Sequence, residues 1–370
     1  MHKLFKLHFH LFFIISLTLL GCADNKQEEL AFVTTEKGGV SIINLETYEV
    51  SQQLENKDKP RGVGITRDGR YLVTANKGSA SINLIDLKSD NQNRQLEVGE
   101  NPEFIRVYGD HVFVSTEPSS KGKPMPEKKH DPVKKEDDDD DDDEDEDEDE
   151  EEEPARIKVV NITNGKIIQD IEAGIETEGI EFTHDRQAII VTNENDSTVS
   201  VHDIKSGDQL ASIDLKQHGK RPRGIKRSPV GNFYAVTMEH SDNVVLIAND
   251  RNNYSVVESI PTGKNPYGLM FSEDGERLYV LASKSQQMLV YDIASREEFR
   301  TVDLNARRCW HMSFSPSGED ILIACGGSDE FLILDAMTYT EKKRLDMPGK
   351  PWGVVTYPKT YGSLDEPVYK

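Results

Sequence analysis

The fold of this chain is constrained most by a short apolar pattern that recurs seven times. Two apolar residues alternate with variable positions, and an Asp or Asn follows in six of the seven copies. The copies are Val40/Ile42/Asn44, Ile82/Leu84/Asp86, Ile157/Val159/Asn161, Val199/Val201/Asp203, Val244/Leu246/Ala248, Met288/Val290/Asp292 and Phe331/Ile333/Asp335. Alternation with a period of two is typical of half-buried strands, and a terminal Asp or Asn can close the following turn. We therefore expect these acids and amides to be structural rather than catalytic.

Each copy lies inside a longer unit of four predicted strands. One such unit consists of Gly268–Phe271, the turn Ser272–Gly275, Leu278–Ala282, Met288–Asp292 and Phe299–Leu304. Residues 30–358, once an insert at residues 117–155 is left out, divide into seven units of about 41 residues each. This repeat length is typical of four-stranded propeller blades. The sequence therefore predicts an all-β fold, a seven-bladed β-propeller.

The two ends of the repeat region predict how the ring closes. The region begins at Leu30 with a second strand, and it ends at Pro351–Pro358 with a lone first strand. The C-terminal strand should therefore complete the N-terminal blade, which removes open sheet edges.

One stretch of the chain resembles a known repeat family. Ile189–Val201 (IIVTNENDSTVSV), with the HDIKSGDQLASI that follows it, looks like the YVTN propeller repeat. The similarity extends over nearly all of residues 30–358. The family includes archaeal surface-layer proteins, accessory proteins of quinone-cofactor catabolism and heavy chains of amine dehydrogenases. The resemblance implies the fold but says little about function, and it brings no catalytic motif to this chain.

The N-terminus indicates the cellular compartment. The apolar run Leu11–Leu20 is too short to span a bilayer but suits the centre of a secretory signal. The LLGC at Leu19–Cys22 resembles the bacterial lipobox, which implies that Cys22 is lipidated and anchors the protein to a membrane. In bacterial lipoproteins the residue after the lipidated cysteine influences sorting, and Ala23, which is not an aspartate, implies the outer membrane. We expect a protein of the bacterial cell envelope, on the periplasmic side or at the surface.

These features divide the chain into four segments. We expect a lipoprotein signal peptide, a lipid-anchored tether, the propeller and a C-terminal tail, at residues 1–21, 22–29, 30–358 and 359–370.

The third predicted blade carries an acidic insert. Glu136–Glu153 is an unbroken run of eighteen acidic residues, and the formal charge of −23 falls to −5 without it. Such a run repels itself and buries no core, so we expect disorder over residues 117–155. It lies between a second and a third strand, on the same face as the connections between blades. Those connections are rich in cations, namely Lys57, Lys59, Arg61, Lys220, Arg221, Arg223, Lys264, Arg307, Arg308 and Lys350.

Three interpretations of the insert stay open. It could be a solvated loop without a partner, or a lid that docks on the cationic connections through attraction that salt screens. The third interpretation is a tether for a basic partner or for divalent cations. Glu136–Glu153 would bind such cations weakly, because a flexible polyanion lacks a pre-shaped cage of oxygen ligands.

One residue per blade should line the mouth of the central channel. These residues form a charged arc and an aromatic arc, namely Arg61, Glu103, Glu178 and Arg223, then Tyr267, His311 and Trp352. The arcs could satisfy themselves and close the channel, or they could bind a small ligand or peptide. His311 has the best position for acid–base chemistry. We find no pair of histidines with metal-ligand geometry, and we expect no metal or cofactor.

Two cysteines remain once Cys22 is assigned to lipid. Cys309 and Cys325 flank a predicted hairpin symmetrically, so they should lie opposite one another on adjacent strands. In an oxidising envelope we expect a disulfide between them, with a buried pair of free thiols as the alternative.

The sequence lacks the common catalytic motifs C-x-x-C-H, G-x-S-x-G, the P-loop and H-E-x-x-H. We therefore expect a non-catalytic binding or scaffold lipoprotein that serves an envelope protein partner, and the acidic charge argues against nucleic acid. The alternative is an enzyme or redox-accessory propeller, linked to quinone-cofactor catabolism or similar to amine dehydrogenases or lactonases, with its site at the channel mouth. A structural surface coat is the third class.

Overall fold

The computed structural model describes residues 27–89, 92–119 and 152–365, which form seven four-stranded antiparallel sheets. The first fourteen strands are β1 (Leu30–Thr35), β2 (Gly39–Asn44), β3 (Glu49–Leu54), β4 (Pro60–Ile65), β5 (Tyr71–Asn76), β6 (Ser81–Asp86), β7 (Gln92–Glu97), β8 (Pro102–Tyr108), β9 (His111–Thr116), β10 (Arg156–Asn161), β11 (Ile167–Glu172), β12 (Thr177–Phe182), β13 (Ala188–Asn193) and β14 (Thr198–Asp203). The second fourteen are β15 (Gln209–Asp214), β16 (Pro222–Arg227), β17 (Phe233–Met238), β18 (Asn243–Asp250), β19 (Asn253–Pro261), β20 (Pro266–Phe271), β21 (Arg277–Ala282), β22 (Gln287–Asp292), β23 (Glu298–Asp303), β24 (Cys309–Phe314), β25 (Asp320–Cys325), β26 (Glu330–Asp335), β27 (Glu341–Asp346) and β28 (Pro351–Tyr357). Two 3₁₀ turns, Lys77–Ser79 and Glu239–Ser241, complete the regular structure of the described residues.

The sheets confirm the predicted seven-bladed propeller and the way its ring closes. The first blade has the strand order β28–β1–β2–β3, and β28 pairs antiparallel with β1. Leu30 faces Tyr357 and Val33 faces Val354 in this pairing. Because β28 comes from the far end of the repeat region, it joins the first blade to the seventh and leaves the ring without a gap.

The insert leaves the third blade where the sequence predicts, between β9 and β10. Residues 120–151, which hold most of the acidic run, lie outside the described residues, and so does Cys22. In the part of the chain that is described, no helix is long and apolar enough to cross a membrane.

Burial decreases from the axis of the propeller to its rim. The innermost strands, such as β12, are buried throughout, whereas outermost strands such as β3 are exposed along most of their length. Adjacent innermost strands approach one another closely. A Cβ atom on Gly62 would lie 2.2 Å from the carbonyl oxygen of Glu103, and one on Gly268 would lie 2.1 Å from that of Trp310. Glycine is therefore required where these blades meet.

The segment after β28 folds back into the channel, at the end opposite the start of the innermost strands. Ser363, Leu364 and Asp365 are buried there. The Asp365 carboxylate accepts hydrogen bonds from the backbone N–H groups of Ile65 (3.0 Å) and Val107 (2.8 Å). These contacts connect the segment to the second and third blades.

Asp365 belongs to a network of buried charges. Its carboxylate lies 2.8 Å from Lys359 Nζ and 3.7 Å from Arg106 Nε, and Arg106 pairs with Glu181 at 2.9 Å. Burial raises the pKa of Glu181, but the charges of Arg106, Lys226 and Arg227 outweigh burial and hold that pKa below its usual value. Acidic and basic side chains are therefore paired with one another inside the channel.

The two cysteines of the seventh blade form a disulfide. Cys309 on β24 faces Cys325 on β25 in the strand pairing, and their sulfur atoms are bonded. The bond links the innermost strand of the blade to its neighbour.

We predict that Asp365→Asn destabilises the protein by about 3–5 kcal/mol, because it removes the carboxylate that pairs with the buried ammonium of Lys359. Asp346→Asn, at an exposed strand end, is the matched control and should change stability by less than about 0.5 kcal/mol. Urea unfolding gives both free energies. Equal effects of the two substitutions would contradict a structural role for the network.

Candidate active site at the channel mouth

The mouth of the channel is lined by the second residue of each innermost strand. Six of the predicted mouth residues hold this position, namely Arg61, Glu103, Glu178, Arg223, Tyr267 and Trp352. In the seventh blade, Trp310 is the second residue of β24, and His311 takes the place that Gly62 has in β4. His311 therefore lies one residue deeper than predicted. The blade lacks a glycine at that place, so its register becomes clear only from the pairing of Cys309 with Cys325.

The charged arc is held together by ion pairs, as one of the two interpretations of the mouth expects. Arg61 pairs with Glu103 at 2.5 Å and with Glu36 at 2.8 Å. Arg223 pairs with Glu178 and lies 2.6 Å from Glu194 and 2.6 Å from Glu239. Each arginine is thus shared by several carboxylates.

A second set of glutamates at the mouth is missing from the sequence-based prediction. Each is the first residue after the second strand of its blade, namely Glu36, Glu117, Glu194 and Glu239. The signal for them is present in the sequence, because an acid follows the second strand in four of the seven blades. The predicted set of mouth residues omits them because it follows only the positions next to the innermost-strand glycine.

These glutamates change the electrostatic character of the face. The connections between blades are cationic in sequence, but Arg61, Arg221 and Arg223 already have carboxylate partners from the fold. Arg221 lies 2.8 Å from Glu194. A polyanion that docks on this face would have to compete with those carboxylates.

Three of the buried mouth carboxylates have an oxygen without a hydrogen-bond partner among the described residues, and in Glu194 that oxygen still lies 2.6 Å from Arg223. Glu103 Oε2 and Glu117 Oε1 are buried and have no hydrogen-bond partner among the described residues. Burial raises the pKa of Glu117 well above its usual value, and the charges of Glu178, Glu103 and Glu194 raise it further. Burial also raises the pKa of Glu103, against the opposing charge of Arg61. The mouth therefore holds carboxyl groups that keep a proton more readily than an exposed glutamate.

The aromatic half of the mouth surrounds His311. The ring centroid of His311 lies 4.2 Å from that of Trp352 and 5.6 Å from that of Tyr267. Its Nδ1 is 2.8 Å from the backbone oxygen of Trp352, so the Nδ1–H donates to that carbonyl and leaves Nε2 as the acceptor. Burial lowers the pKa of His311 to about 3. The imidazole is therefore neutral at physiological pH.

Tyr267 joins the two halves. The guanidinium carbon of Arg223 lies 4.9 Å from the centroid of the Tyr267 ring, and the Tyr267 hydroxyl is 3.4 Å from Glu178 Oε2. An aromatic surface and a carboxylate group are thus continuous at the mouth.

Below the mouth the channel is closed. The cavity there has a volume of about 20 Å³ and is lined by Phe104, His311 and Leu364, so it has room for about one water molecule. A larger surface groove of about 500 Å³ borders the first blade, but its charged side chains Lys37, Lys57 and Asp346 are exposed to solvent. Because carboxyl groups with raised pKa values cluster at the mouth, we place the candidate site there. In the described ranges no group of three or more His, Cys, Asp or Glu is arranged to hold a metal ion.

Comparisons with known proteins place this fold among propellers that include lactonases. The model of a family described as "Lactonase, 7-bladed beta-propeller" matches residues 156–258. A search of curated proteins found no match.

Three solved structures illustrate the likeness of the whole propeller. A functionally unknown protein from Desulfotomaculum acetoxidans is 14% identical with a TM-score of 0.69, over 88% of this chain and 98% of that one. A putative 6-phosphogluconolactonase from Bacteroides uniformis is 14% identical with a TM-score of 0.67, over 89% of this chain and 100% of that one. The periplasmic gluconolactonase PpgL from Pseudomonas aeruginosa is 15% identical with a TM-score of 0.64, over 89% and 98%.

These findings correct the functional prediction. The expectation of a non-catalytic binding or scaffold module is wrong as the main interpretation. The matching family model is that of lactonases, and two of the similar structures are named as lactonases. The enzyme alternative, with its site at the channel mouth, agrees better with them. At 14–15% identity the structures themselves establish the fold alone.

We predict that Glu117→Gln stabilises the protein at pH 8 and has little effect at pH 4. The folded-state pKa of Glu117 is raised, so the native state holds a proton that the unfolded chain releases as the pH rises above about 4.3. Wild-type stability therefore falls as the pH rises through the folded-state pKa, and the glutamine variant avoids that loss. The gain at pH 8 grows with the difference between the folded-state and unfolded-state pKa values of Glu117.

Urea unfolding at the two pH values measures this difference. Glu97→Gln, at an exposed position on β7, is the control and should give the same stability as wild type at both. A Glu117→Gln variant that is less stable than wild type at pH 8 would show that Glu117 is ionised and paired.

Proposed function

We propose that this protein is a hydrolase of small cyclic esters (lactones) that acts at the channel mouth. The observation that supports it best is the pair Glu103 and Glu117, two buried carboxyl groups that influence each other's ionisation and that each present an oxygen without a partner. Hydrolysis of an ester needs one group to take a proton from water and another to give a proton to the leaving oxygen. Two carboxyl groups in different environments can divide these roles.

The environments of the two glutamates assign the roles. Burial raises the pKa of both glutamates, but Arg61 lies 2.5 Å from Glu103 and opposes that effect. Glu103 therefore ionises more readily than Glu117 and is the general base. Glu117 is surrounded by other acids and has no cation at comparable distance among the described residues, so it is the general acid. Water loses a proton to Glu103 and attacks the carbonyl carbon of the lactone. The ring C–O bond then breaks, and the departing oxygen takes the proton of Glu117 to give the hydroxy acid.

The aromatic half of the mouth would bind the ring of the substrate. Trp310 is half-buried and is the aromatic side chain of this group that a substrate can reach, because Trp352 and Tyr267 are buried. The ring centroids of Tyr267 and Trp310 are 6.5 Å apart, so the buried Tyr267 supports Trp310 from one side. Sugar-like rings stack on such surfaces through their apolar faces. Neutral His311 would offer Nε2 as a hydrogen-bond acceptor for a ring hydroxyl.

The charge of the mouth selects among lactones. Both Arg61 and Arg223 are occupied by carboxylates, so neither is free to pair with a phosphate. An anionic substrate would also be repelled by the surrounding glutamates. We therefore propose that the substrate is not phosphorylated.

We predict that the purified protein hydrolyses unphosphorylated γ- or δ-lactones faster than buffer alone, measured as proton release with a pH indicator. Glu117→Gln and Glu103→Gln should each lower kcat by about 10²–10⁴-fold, because each removes one proton-transfer step. Glu97→Gln is the control and should keep wild-type activity. The rate should fall as the pH rises through the raised pKa of Glu117, since the acid must hold its proton.

The proposal fails if the protein hydrolyses none of the unphosphorylated γ- and δ-lactones faster than buffer alone does. It also fails if both glutamine variants retain the wild-type rate, because the carboxyl groups would then have no part in the reaction.

We further propose that the enzyme works in the cell envelope, anchored through Cys22. The support is the signal-like N-terminus with LLGC at Leu19–Cys22 and a disulfide between Cys309 and Cys325, which suits an oxidising compartment.

We predict that cells fed labelled palmitate incorporate the label into the wild-type protein and not into Cys22→Ser. The serine variant should appear in the soluble fraction with an unchanged lactonase rate, because Cys22 lies far in sequence from every residue of the mouth. Equal labelling of both proteins would contradict lipidation at Cys22.

A further inference from the structure

The exposed apolar side chains of the propeller are concentrated on the face opposite the mouth, which we call the far face. Innermost strands begin at the mouth and successive strands are antiparallel, so each outermost strand begins at the far face. Large apolar residues exposed by 45–57% stand among the first two residues of outermost strands, namely Val50, Ile167, Ile168, Leu210 and Phe299. Two more, Val230 and Met337, lie in turns of the far face. Within the described residues, no large apolar side chain at the mouth is exposed to that extent.

β-Bulges in four consecutive blades produce an arc of these side chains. The third and outermost strands of each blade shift register by one residue, and the extra residue of the outermost strand is large and apolar in the third to sixth blades. These residues are Ile168, Leu210, Val257 and Phe299. The extra residue of a bulge has no partner in the ladder, which leaves its side chain without a cross-strand neighbour. The equivalent residues are Ser51 in the first blade and Lys342 in the seventh.

The N-terminal segment leaves the fold at the same face. The backbone oxygen of Glu29 accepts a hydrogen bond from Leu45 N–H (3.0 Å), and Glu29 Oε2 accepts one from Ser317 N–H (3.1 Å). Leu45 follows β2 and Ser317 lies in the turn after β24, so both are on the far face.

This exit determines which face a lipid on Cys22 would hold to a membrane. Cys22 precedes Gln27, where the described chain begins, by five residues. Five residues span at most about 17 Å. A strand of six residues is about 20 Å long, so the mouth lies a further blade height away. The anchor therefore reaches the far face and not the mouth.

Met337 lies beside the exit and is 89% exposed. The Ala336 N–H donates to the backbone oxygen of Glu319 at 2.9 Å, which joins the turn of Met337 to the turn of Ser317. A side chain this exposed adds almost nothing to the core, and its transfer out of water would be favourable.

The distribution of these side chains fits a lipid surface better than a protein partner. They are spread over six of the seven blades and are not gathered into one patch, and an extended fluid surface can contact all of them at once. Charged residues such as Lys205 and Glu273 are exposed in turns of the same face. The contact is therefore with the headgroup region, because charges are excluded from the hydrocarbon.

We propose that the far face rests on the lipid headgroups of the membrane, with Met337 and the apolar arc inserted among them. The mouth consequently opens away from the bilayer. This inference rests on the proposed anchor at Cys22 only to bring the face to the membrane, and it adds the orientation and the contact residues. The acidic insert is attached at the mouth end of β9 and β10, so its points of attachment also lie on the side away from the lipid.

A dye on a single thiol can report the surroundings of each face. Met337→Cys and Leu210→Cys place a thiol on the far face, and Lys57→Cys places one in an exposed connection at the mouth as the matched control. Cys309 and Cys325 are bonded to one another, and lipidation occupies Cys22, so an environment-sensitive dye attaches to the introduced thiol alone. The lipidated protein is reconstituted in phosphatidylcholine vesicles, with and without lipids that carry a spin-label quencher on the headgroup.

We expect quenching of the Met337→Cys and Leu210→Cys dyes to be at least about threefold stronger than that of the Lys57→Cys dye, because a blade height of about 20 Å separates the two ends. The Leu210→Cys dye is decisive. Leu210 lies in the fourth blade, three blades from the exit in either direction, so the tether alone does not bring it to the lipid.

Charge variants test whether the apolar side chains make the contact. Met337→Glu and Phe299→Glu together should reduce quenching of the Leu210→Cys dye by about half or more, because both side chains would lose their hydrophobic contact with the lipid. Lys57→Glu adds the same residue at the mouth and should leave that quenching unchanged.

Three results would overturn the proposal. Equal quenching of the Leu210→Cys and Lys57→Cys dyes would mean that no face is preferred, and stronger quenching of the Lys57→Cys dye would mean that the mouth faces the membrane. A change in the Leu210→Cys dye that needs no lipid and grows with protein concentration would identify a second copy of the chain as the occupant.

Failure of this inference differs from failure of the proposed anchor. If Cys22 is not lipidated, the same dyes are measured on a chain that carries a hexahistidine sequence in place of residues 1–22 and is captured on vesicles with nickel-chelating lipids. Far-face contact there would refute only the anchor, whereas lipidation at Cys22 without far-face contact would refute only the contact. Neither result depends on the lactonase reaction.

Discussion

The close approach of the innermost strands determines most of what this propeller can do. Backbone atoms of adjacent blades come so near at Gly62 and Gly268 that no side chain fits between them. Side chains one residue earlier are consequently forced together around a narrow opening. Arginines and glutamates from five blades then pair across blade boundaries, as Arg61 does with Glu36 and Glu103. The same crowding that packs the ring also concentrates charge at its mouth.

The two ends of the channel handle buried charge differently. At the far end, Arg106, Glu181, Asp365 and Lys359 balance one another and receive backbone hydrogen bonds. At the mouth, carboxylates outnumber the arginines that pair with them. Buried carboxylate oxygens without a hydrogen-bond partner among the described residues occur at both ends, so the two ends differ in their balance of charge. A network in which the charges balance stabilises the fold, whereas a site with excess carboxylates can bind protons or cations. This contrast is the reason to assign stability to one end and chemistry to the other.

The sequence predicts the architecture well because the strand pattern of a blade occurs in it seven times. Strand alternation, the place of the insert and the closure of the ring by β28 all follow from periodicity and from the incomplete first and last units.

The mouth was predicted in part. Six of its residues follow from their place in the repeat, but His311 lies a residue deeper because the seventh blade lacks the marker glycine. The glutamates after the second strands follow the same repeat logic but were overlooked. The unpartnered oxygens and the paired state of the arginines depend on side-chain distances, which periodicity does not encode. Function was predicted least well, since the mouth's chemistry arises from several blades and leaves no local motif.

The return of the chain into the channel has a consequence for how the protein is made. Residues 351–365 supply the strand that closes the first blade and the carboxylate that fills the channel axis. A ribosome releases these residues after all the others named here. Until then, six complete blades and a first blade without β28 can form only an open arc, in which the edge of β1 is unpaired. The ring can therefore close only after residues 351–357 have been made, and until then the edge of β1 needs protection from pairing with another chain.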